Sequence, residues 1–263
     1  MTTEQRGSAP RLATRVIAAT VIAVGGLAVA APTAVAASRC LGARAGIIGT
    51  IGDDTITGTQ RADVIWASAG DDTIRGLGGN DRICGGDGDD TIYAGDDNDA
   101  VDGGDGSDRI YGGARFDELA GAAGDDQLYG GDDGDGIDGG MGADAVYGGA
   151  GGDILLGGEG IDQLYGGGGR EDIQGGDGAD GVYGGDDADE ISGSAGDDEV
   201  YGGAGADLVF GEEGMDGLYG GLGDDMVGST DGVAGNDFLD GGPHTVGDEC
   251  VSDVGDLESN CES

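Results

Sequence analysis

The sequence predicts an all-β protein, a solenoid built from short strands and tight turns. A nine-residue pattern recurs 20 times without a gap over residues 49–228. One position of every copy is Ile, Leu or Val, and glycine and aspartate dominate the positions before it. Such periodicity is typical of repeat architectures, in which each unit buries its apolar face only by stacking on its neighbours.

The chain ahead of the repeats begins with a predicted secretory signal peptide, residues 1–36. Three arginines lie before an apolar run over residues 16–30, and residues 34–36 supply the small side chains that a signal peptidase requires. A retained transmembrane anchor is the weaker alternative, because the segment is rich in alanine and glycine and includes Pro32. We therefore expect the mature protein to be secreted.

Composition disfavours several classes of partner. The 263 residues include 65 glycines, 54 acidic residues and only 11 basic ones, all arginine, for a formal net charge of −43. Removal of residues 1–36 takes away one Glu and three Arg, which changes the charge to −45. We therefore expect no nucleic-acid binding, and no membrane insertion after signal cleavage. Because such charge with few large aliphatic residues is typical of disordered chains, folding requires neutralising cations.

Each nonad, counted from Gly49, fits the pattern G-G-x-G-x-D-x-U-x, in which U is aliphatic. Position six is Asp in 19 nonads and Glu171 in the other, and position eight is Ile, Leu or Val in all 20. Position one is Gly in 18 nonads, with Ala67 and Ala94 as the exceptions. Glycine at this frequency is expected where the backbone adopts positive φ or approaches an ion closely.

These nonads resemble the calcium-binding nonapeptide repeats of the RTX, or hemolysin-type, proteins over residues 49–228, and a frayed copy follows at 232–240. The resemblance implies a parallel β-roll, a two-sheet β-solenoid in which two nonads make one 18-residue coil. In that family six residues of a nonad form a calcium-binding turn and three form a strand. We assign residues 37–48 as an N-terminal cap and 229–263 as a degenerate repeat and C-terminal cap, since a solenoid must protect its open ends.

The turns carry the oxygen ligands that calcium prefers. Calcium takes six to eight hard oxygen ligands, which carboxylates and backbone carbonyls supply, whereas one His and four cysteines offer no zinc-type set. An ion can lie between successive turns of one edge, bridged by carboxylates such as Asp126 and Asp144. The alternative, that these aspartates only form turns, does not explain their constant phase. The predicted ligands are Asp54, Asp63, Asp72, Asp81, Asp90, Asp99, Asp108, Asp117, Asp126, Asp135, Asp144, Asp153, Asp162, Glu171, Asp180, Asp189, Asp198, Asp207, Asp216 and Asp225.

Each edge has ten turns and therefore nine gaps between turns, so the two edges would hold up to about 18 Ca²⁺ ions. These ions would change the charge of −45 to −9.

The two edges differ at position four. Every second nonad, counted from the one that begins at Gly49, has Gly there, and we call the turns of this set the regular edge. The alternate set, the irregular edge, departs from Gly at five places. We expect tighter binding on the regular edge, and a fixed cation in place of calcium at two of the exceptions, Arg61 and Arg115. The exceptions are Arg61, Asp97, Arg115, Asp133 and Asp187.

Four cysteines in an exported chain predict two disulfides, for which three pairings exist. Proximity favours Cys40 with Cys84 and Cys250 with Cys261. The first bond would fasten the leading cap to the fourth nonad, and the second would close a loop in the trailing cap. Free core thiols are the alternative.

The eight tyrosines form a second pattern, because all lie at position nine, one in every second nonad from Tyr93 to Tyr219. In an 18-residue coil they form one column on the outer face of one sheet, with coils about 4.8 Å apart. The column is either a stabilising ladder of stacked rings or a docking face for a surface, a glycan or a second copy.

No catalytic constellation is evident, and we predict no enzymatic activity. His244 has no neighbouring nucleophile, and no metalloprotease or phosphate-binding motif is present. The predicted function is calcium binding coupled to folding, in an extracellular structural or adhesion module. The alternative is a non-catalytic remnant or accessory module of an RTX-type toxin or hydrolase.

Overall fold

The computed structural model describes residues 39–229, 237–243, 248–252 and 256–261. No helix occurs in these ranges, so none that could span a membrane occurs there. The predicted signal peptide, residues 1–36, and His244 lie outside them. The strands in chain order are β1 Arg39–Cys40, β2 Ala43–Arg44, β3 Ile47–Ile48, β4 Thr55–Thr57, β5 Val64–Ala69, β6 Thr73–Gly78, β7 Arg82–Asp87, β8 Thr91–Asp96, β9 Ala100–Asp105, β10 Arg109–Ala114, β11 Glu118–Ala123, β12 Gln127–Asp132, β13 Gly136–Met141, β14 Ala145–Ala150, β15 Ile154–Glu159, β16 Gln163–Gly168, β17 Asp172–Asp177, β18 Gly181–Asp186, β19 Glu190–Ala195, β20 Glu199–Ala204, β21 Leu208–Glu213, β22 Gly217–Leu222, β23 Met226–Ser229, β24 Phe238–Asp240, β25 Glu249–Ser252 and β26 Leu257–Ser259.

Strands β3 to β26 form two parallel sheets that share one hydrophobic core. The even-numbered strands make one 12-stranded sheet and the odd-numbered strands make the other, each in chain order. Through the repeats, neighbouring strands are offset by two nonads, as in the pairing of Tyr111 with Tyr129. The predicted parallel β-roll with an 18-residue coil is therefore confirmed.

The strands are longer than the three residues that the family resemblance implies. From β5 to β22 each strand covers positions seven to nine of one nonad and one to three of the next, as in β10, Arg109–Ala114. Pairing of β10 with β12 includes every residue except Gly112, at position one. Because the backbone at positions two and three also pairs with the neighbouring coils, the turn shortens to positions four to six.

Position eight supplies the core. All 20 predicted side chains there are at most 8% exposed, and Leu239 joins their cluster. Since side chains alternate along a strand, positions six, eight and one point inward, and positions seven and nine point outward. Burial of each aliphatic side chain stabilises the roll by about 1.5–3 kcal/mol.

Residues on both sides of the 20 nonads extend the sheets. Ile47 pairs with Ile65, so β3 adds a strand ahead of the first nonad. After residue 228, β24, β25 and β26 continue the two sheets, and Leu239 lies opposite Leu218. The spacing between equivalent residues lengthens there to 21 and 23. The longer spacing leaves the strand register unchanged.

Both favoured disulfides are present, Cys40–Cys84 and Cys250–Cys261. Cys84 lies at the outward position nine of β7 and is only 8% exposed, because the antiparallel hairpin of β1 and β2 packs over it. Cys250 lies opposite Val227 in β23, at a core-facing position. The two bonds therefore fasten chain segments at opposite ends of the roll.

The eight tyrosines form the predicted column on the even-numbered sheet. Seven successive ring pairs stack with centroids 4.6–4.9 Å apart and planes within 8° of parallel. At one end the Arg75 guanidinium lies 5.3 Å from the ring centroid of Tyr93, and at the other Phe238 lies 5.7 Å from Tyr219. The ring faces within the column are therefore covered, and the column exposes ring edges and hydroxyls.

Candidate metal sites

The position-six carboxylates form one column along each edge of the roll. Eighteen of the 20 predicted ligands are at most 4% exposed, and only Asp54 and Asp63, in the first turn of each edge, are partly exposed. They are buried because position six precedes the inward position eight by two residues, so both side chains point to the same face. Each folded nonad therefore buries one carboxyl group.

One oxygen of each internal aspartate carboxylate is hydrogen-bonded to the preceding coil. The backbone N–H of Asp108 donates to Oδ1 of Asp126 over 2.7 Å, and the N–H of Asp126 donates to Oδ1 of Asp144 over 2.8 Å. On the regular edge these bonds continue from Asp54 to Asp237 without a break. The bonds fix each carboxylate in one orientation.

The second oxygen, Oδ2, is buried and accepts no hydrogen bond in most internal turns. A buried carboxylate oxygen without a donor costs free energy comparable to a lost hydrogen bond or more, and a cation or a proton removes that cost. The aspartates concerned are Asp72, Asp81, Asp90, Asp99, Asp108, Asp117, Asp126, Asp135, Asp144, Asp153, Asp162, Asp180, Asp198 and Asp207.

In the internal turns, Oδ2 of the position-six aspartate and a backbone carbonyl oxygen of the next coil both lie close to the position-one glycine. A Cβ atom on Gly121 would lie 2.3 Å from Oδ2 of Asp126 and 2.5 Å from the carbonyl oxygen of Gly139. Crowding by these two oxygens explains glycine at position one. Positive φ does not explain it, because the positive φ values lie at positions two and four, as in Gly86 and Gly88.

Burial also changes the acidity of these groups. Burial is the largest cause that raises the pKa of Asp126 from 3.8 to about 7, against the lowering effect of its backbone hydrogen bond, and the charge of Asp144 raises it further. The pKa of Asp90 and Asp117 is likewise raised to about 7. The ionised form of each column therefore requires a positive partner.

The donor set fits calcium. Within the described ranges no cluster of three or more His, Cys, Asp or Glu side chains could hold a metal ion. Each turn instead offers a carboxylate oxygen and backbone carbonyl oxygens from two coils, a hard and all-oxygen set of the kind that Ca²⁺ accepts and Zn²⁺ does not. His244 lies outside the described residues.

The irregular edge keeps the turn backbone but not the expected cations. Asp97, Arg115, Asp133 and Asp187 have positive φ of 70–85° at position four, where the glycines of the regular edge from Gly70 to Gly214 have positive φ of 114–152°. The prediction that Arg61 and Arg115 replace an ion is wrong, because both side chains are exposed and, in the part of the chain that the structure describes, neither forms an ion pair.

Glu171 interrupts the column of the irregular edge. The N–H of Asp135 donates to Oδ1 of Asp153 as elsewhere, but the N–H of Asp153 makes no equivalent bond to Glu171. Burial first, and then the adjoining Asp189, raise the pKa of Glu171 to about 9. The extra methylene therefore places this carboxyl differently and divides the column into two segments.

Three members of the columns were missing from the predicted ligands. Oδ1 of Asp237 accepts from the N–H of Asp216, Oδ1 of Asp248 from the N–H of Asp225, and Oδ1 of Asp256 from the N–H of Asp237. Asp237 is position six of the frayed copy at 232–240, so the sequence held a signal for it. For Asp248 the only signal is an Asp two residues before Cys250, which is too short to recognise alone.

The fold and the inward carboxylate columns together define a β-roll repeat protein with metal-binding turns. A family model described as the RTX calcium-binding nonapeptide repeat matches residues 48–83, 76–110, 84–117, 111–146, 147–182, 183–218 and 192–227. These matches include every nonad and cover more than half of the chain, which therefore belongs to the RTX calcium-binding nonapeptide repeat family. A search of curated proteins found no significant match.

Proposed function

We propose that the mature chain is a secreted, non-enzymatic protein whose folding is coupled to calcium binding and which serves as an extracellular structural or adhesion module. The observation that carries the proposal is the column of buried Oδ2 atoms without a donor on each edge. Because such oxygens oppose folding unless a positive charge meets them, the roll and its cations form together.

The ligands of each ion would be the position-six carboxylates and the backbone carbonyls of adjoining turns. When bound, Ca²⁺ supplies the charge that neutralises the column and links successive coils. The position-one glycines leave room for the ion, since a side chain there would meet Oδ2. Internal turns on two edges give up to about 18 ions, as counted from the sequence.

Absence of catalysis is proposed because the position-six carboxylates recur alike along both edges. A surface depression of about 390 Å³ on the odd-numbered sheet contains one acid, Glu118. Two neighbouring depressions add Asp138, or Asp81 and Asp99, to Glu118. Asp81 and Asp99 belong to the column of the irregular edge, which the proposal assigns to calcium.

The tyrosine column is proposed as a stabilising ladder. A glycan stacks on the face of an aromatic ring, and the faces in this column are covered by neighbouring rings at 4.6–4.9 Å. The ends are covered as well, by Arg75 and Phe238. The covered faces favour the ladder over a docking face for sugars.

A calcium titration followed by circular dichroism tests the proposal. We expect a largely unfolded chain in chelator and a gain of β-structure at about 10⁻⁴–10⁻³ M calcium, the range of extracellular modules. Magnesium at the same concentration serves as the control and should give little structure. A spectrum that does not respond to calcium would refute the coupling.

Cell fractionation tests the biological role. Retention of the mature protein on the cell surface would support adhesion. Release into the medium together with hydrolytic activity would instead favour an enzyme.

A further inference from the structure

We infer that hydroxyl side chains close carboxylates near the ends of the columns, Thr50 and Thr59 at the N-terminal end and Ser229 near the C-terminal end, and so determine which turns bind calcium. The inference rests on the proposed calcium-binding function. It assigns a role to threonine at position two, which occurs only in the first turn of each edge, and to a serine at position one.

In the first turn of each edge a threonine satisfies the oxygen that internal turns leave without a donor. Thr50 donates to Oδ2 of Asp54 from its backbone N–H over 2.6 Å and from its hydroxyl over 2.9 Å. Thr59 donates to Oδ2 of Asp63 in the same way, over 2.7 and 2.9 Å. In the next coil Oδ2 of Asp72 has no donor.

A backbone difference places these donors. Every position-two residue from Ser68 to Gly221 has positive φ, whereas Thr50 and Thr59 do not. A β-branched side chain strongly disfavours positive φ, so threonine holds the first turn in another conformation. In that conformation both the N–H and the hydroxyl reach Oδ2 of the aspartate four residues ahead.

The first turn of the irregular edge otherwise has the oxygens of an internal site. A Cβ atom on Gly58 would lie 2.6 Å from the carbonyl oxygen of Gly76 and 3.0 Å from Oδ2 of Asp63. The equivalent distances at the internal Gly76 are 2.5 Å to a carbonyl and 2.4 Å to Oδ2. The threonine donors, rather than a missing ligand, therefore distinguish this turn.

The turn of Asp237, next to the last on the regular edge, is closed from a different position; after it, the N–H of Asp237 donates to Oδ1 of Asp256 over 3.4 Å. Ser229 stands at position one, where every nonad has Gly or Ala, and it is 1% exposed. Its hydroxyl donates to Oδ2 of Asp237 over 2.5 Å. The side chain thus fills the space that glycine leaves open in internal turns.

Hydrogen-bond donors and a cation compete for the same oxygen. Two hydrogen-bond donors occupy the lone pairs of Oδ2 and direct partial positive charge toward it. They stabilise the ionised carboxylate and repel an approaching cation. Since an end turn lacks a neighbour on one side, a built-in donor keeps its carboxylate satisfied at low calcium. Calcium is thereby confined to the turns between the closed ends.

Counting bound ions in the full chain by native mass spectrometry at saturating calcium tests the inference. Thr59→Gly and Thr50→Gly, made separately, should each bind one more ion than the wild type, because each restores the residue of internal turns. Thr59→Ser loses the β-branch and should also gain one ion, because Ser68, at the same position of an internal turn, has positive φ and leaves Oδ2 of Asp72 without a donor. Thr57→Gly, an exposed threonine outside the turns, is the matched control and should bind the wild-type number of ions.

The outcomes separate this inference from the proposed function. If the wild type binds no calcium, the proposed function fails. If the wild type binds calcium and both glycine variants, folded by circular dichroism, bind the same number of ions, the inference is overturned. If one glycine variant does not fold, the other decides, since the two threonines lie on different edges.

Discussion

Lowering the pH should fold the calcium-free roll. In the absence of an ion, burial raises the pKa of Asp90, Asp99 and Asp126 from 3.8 to about 7, with further increases from neighbouring carboxylates. A raised folded-state pKa gives stability that is present below the unfolded pKa of about 4 and is lost as pH rises through about 7. The calcium-free fold should therefore be favoured in acid and lost above pH 7.

The magnitude follows from the size of the pKa shift. One unit corresponds to about 1.4 kcal/mol, so a shift of about three units corresponds to about 4 kcal/mol for one carboxyl group. A few such groups are enough to offset the total stability of an ordinary domain, about 5–15 kcal/mol. At pH 8 without calcium the roll should therefore be unfolded.

Calcium reverses the sign of the pH dependence. Carboxylates held by a cation have depressed pKa values in the folded state, so their contribution is present above the unfolded pKa and is lost as pH falls through the folded one. Protons and calcium therefore compete, and the half-saturating calcium concentration should rise as the pH falls from 8 to 6.

Circular dichroism of protein freed of calcium by dialysis gives the measurement. The β-signal should increase as the pH is lowered from 8 to 5, with a midpoint between the unfolded pKa of about 4 and the folded pKa of about 7, and the range stays above the sequence pI of about 4.1 to limit precipitation. A calcium-free chain whose β-signal does not rise between pH 8 and pH 5 would refute the reasoning.

Three substitutions test other parts of the structure. Tyr147→Thr removes two stacked pairs and should lower the free energy of unfolding in saturating calcium by about 1–3 kcal/mol. Gln174→Thr, at the same position of the opposite sheet, is the control and should change it little. An unchanged melting curve together with lost self-association would favour a docking face instead. Arg115→Gly relieves a φ of 85° and should stabilise the calcium-bound roll by about 1 kcal/mol in thermal melts, and a lower melting temperature would show that the turn is not strained. Glu171→Asp should restore the hydrogen bond from Asp153 and add one bound ion by native mass spectrometry, and an unchanged ion count would show that the break has no consequence for binding.

Features set by alternation could be predicted from the sequence. Position eight is buried and position nine is exposed because side chains alternate along a strand, and a constant spacing of two nonads places Tyr129 beside Tyr147. Both inferences need only the phase of the repeat. The favoured disulfides were likewise predicted, since proximity along the chain limited the pairings.

Features that depend on backbone conformation could not be predicted. Each strand extends to position three because the backbone of positions two and three pairs with the neighbouring coils. Gly113 pairs in this way but has no side chain whose alternation could indicate a strand in the sequence. Strands β24 and β25 lie out of phase with the count from Gly49 because the spacing between equivalent residues lengthens to 21 and 23. Arg115 has positive φ, which the sequence does not display at a non-glycine residue.

The same alternation that builds the core also makes the roll depend on cations. Position eight must point inward to bury Leu128, and position six, two residues earlier, then points inward as well and buries Asp126. Every nonad that contributes one aliphatic side chain therefore contributes one buried carboxyl, so lengthening the roll cannot dilute the charge. The regular edge offers no fixed positive side chain inside its column, and position one has no room for one beside Oδ2. A mobile cation or a proton is thus the partner that the period itself requires, and stability in this architecture should increase with calcium concentration more steeply as turns are added.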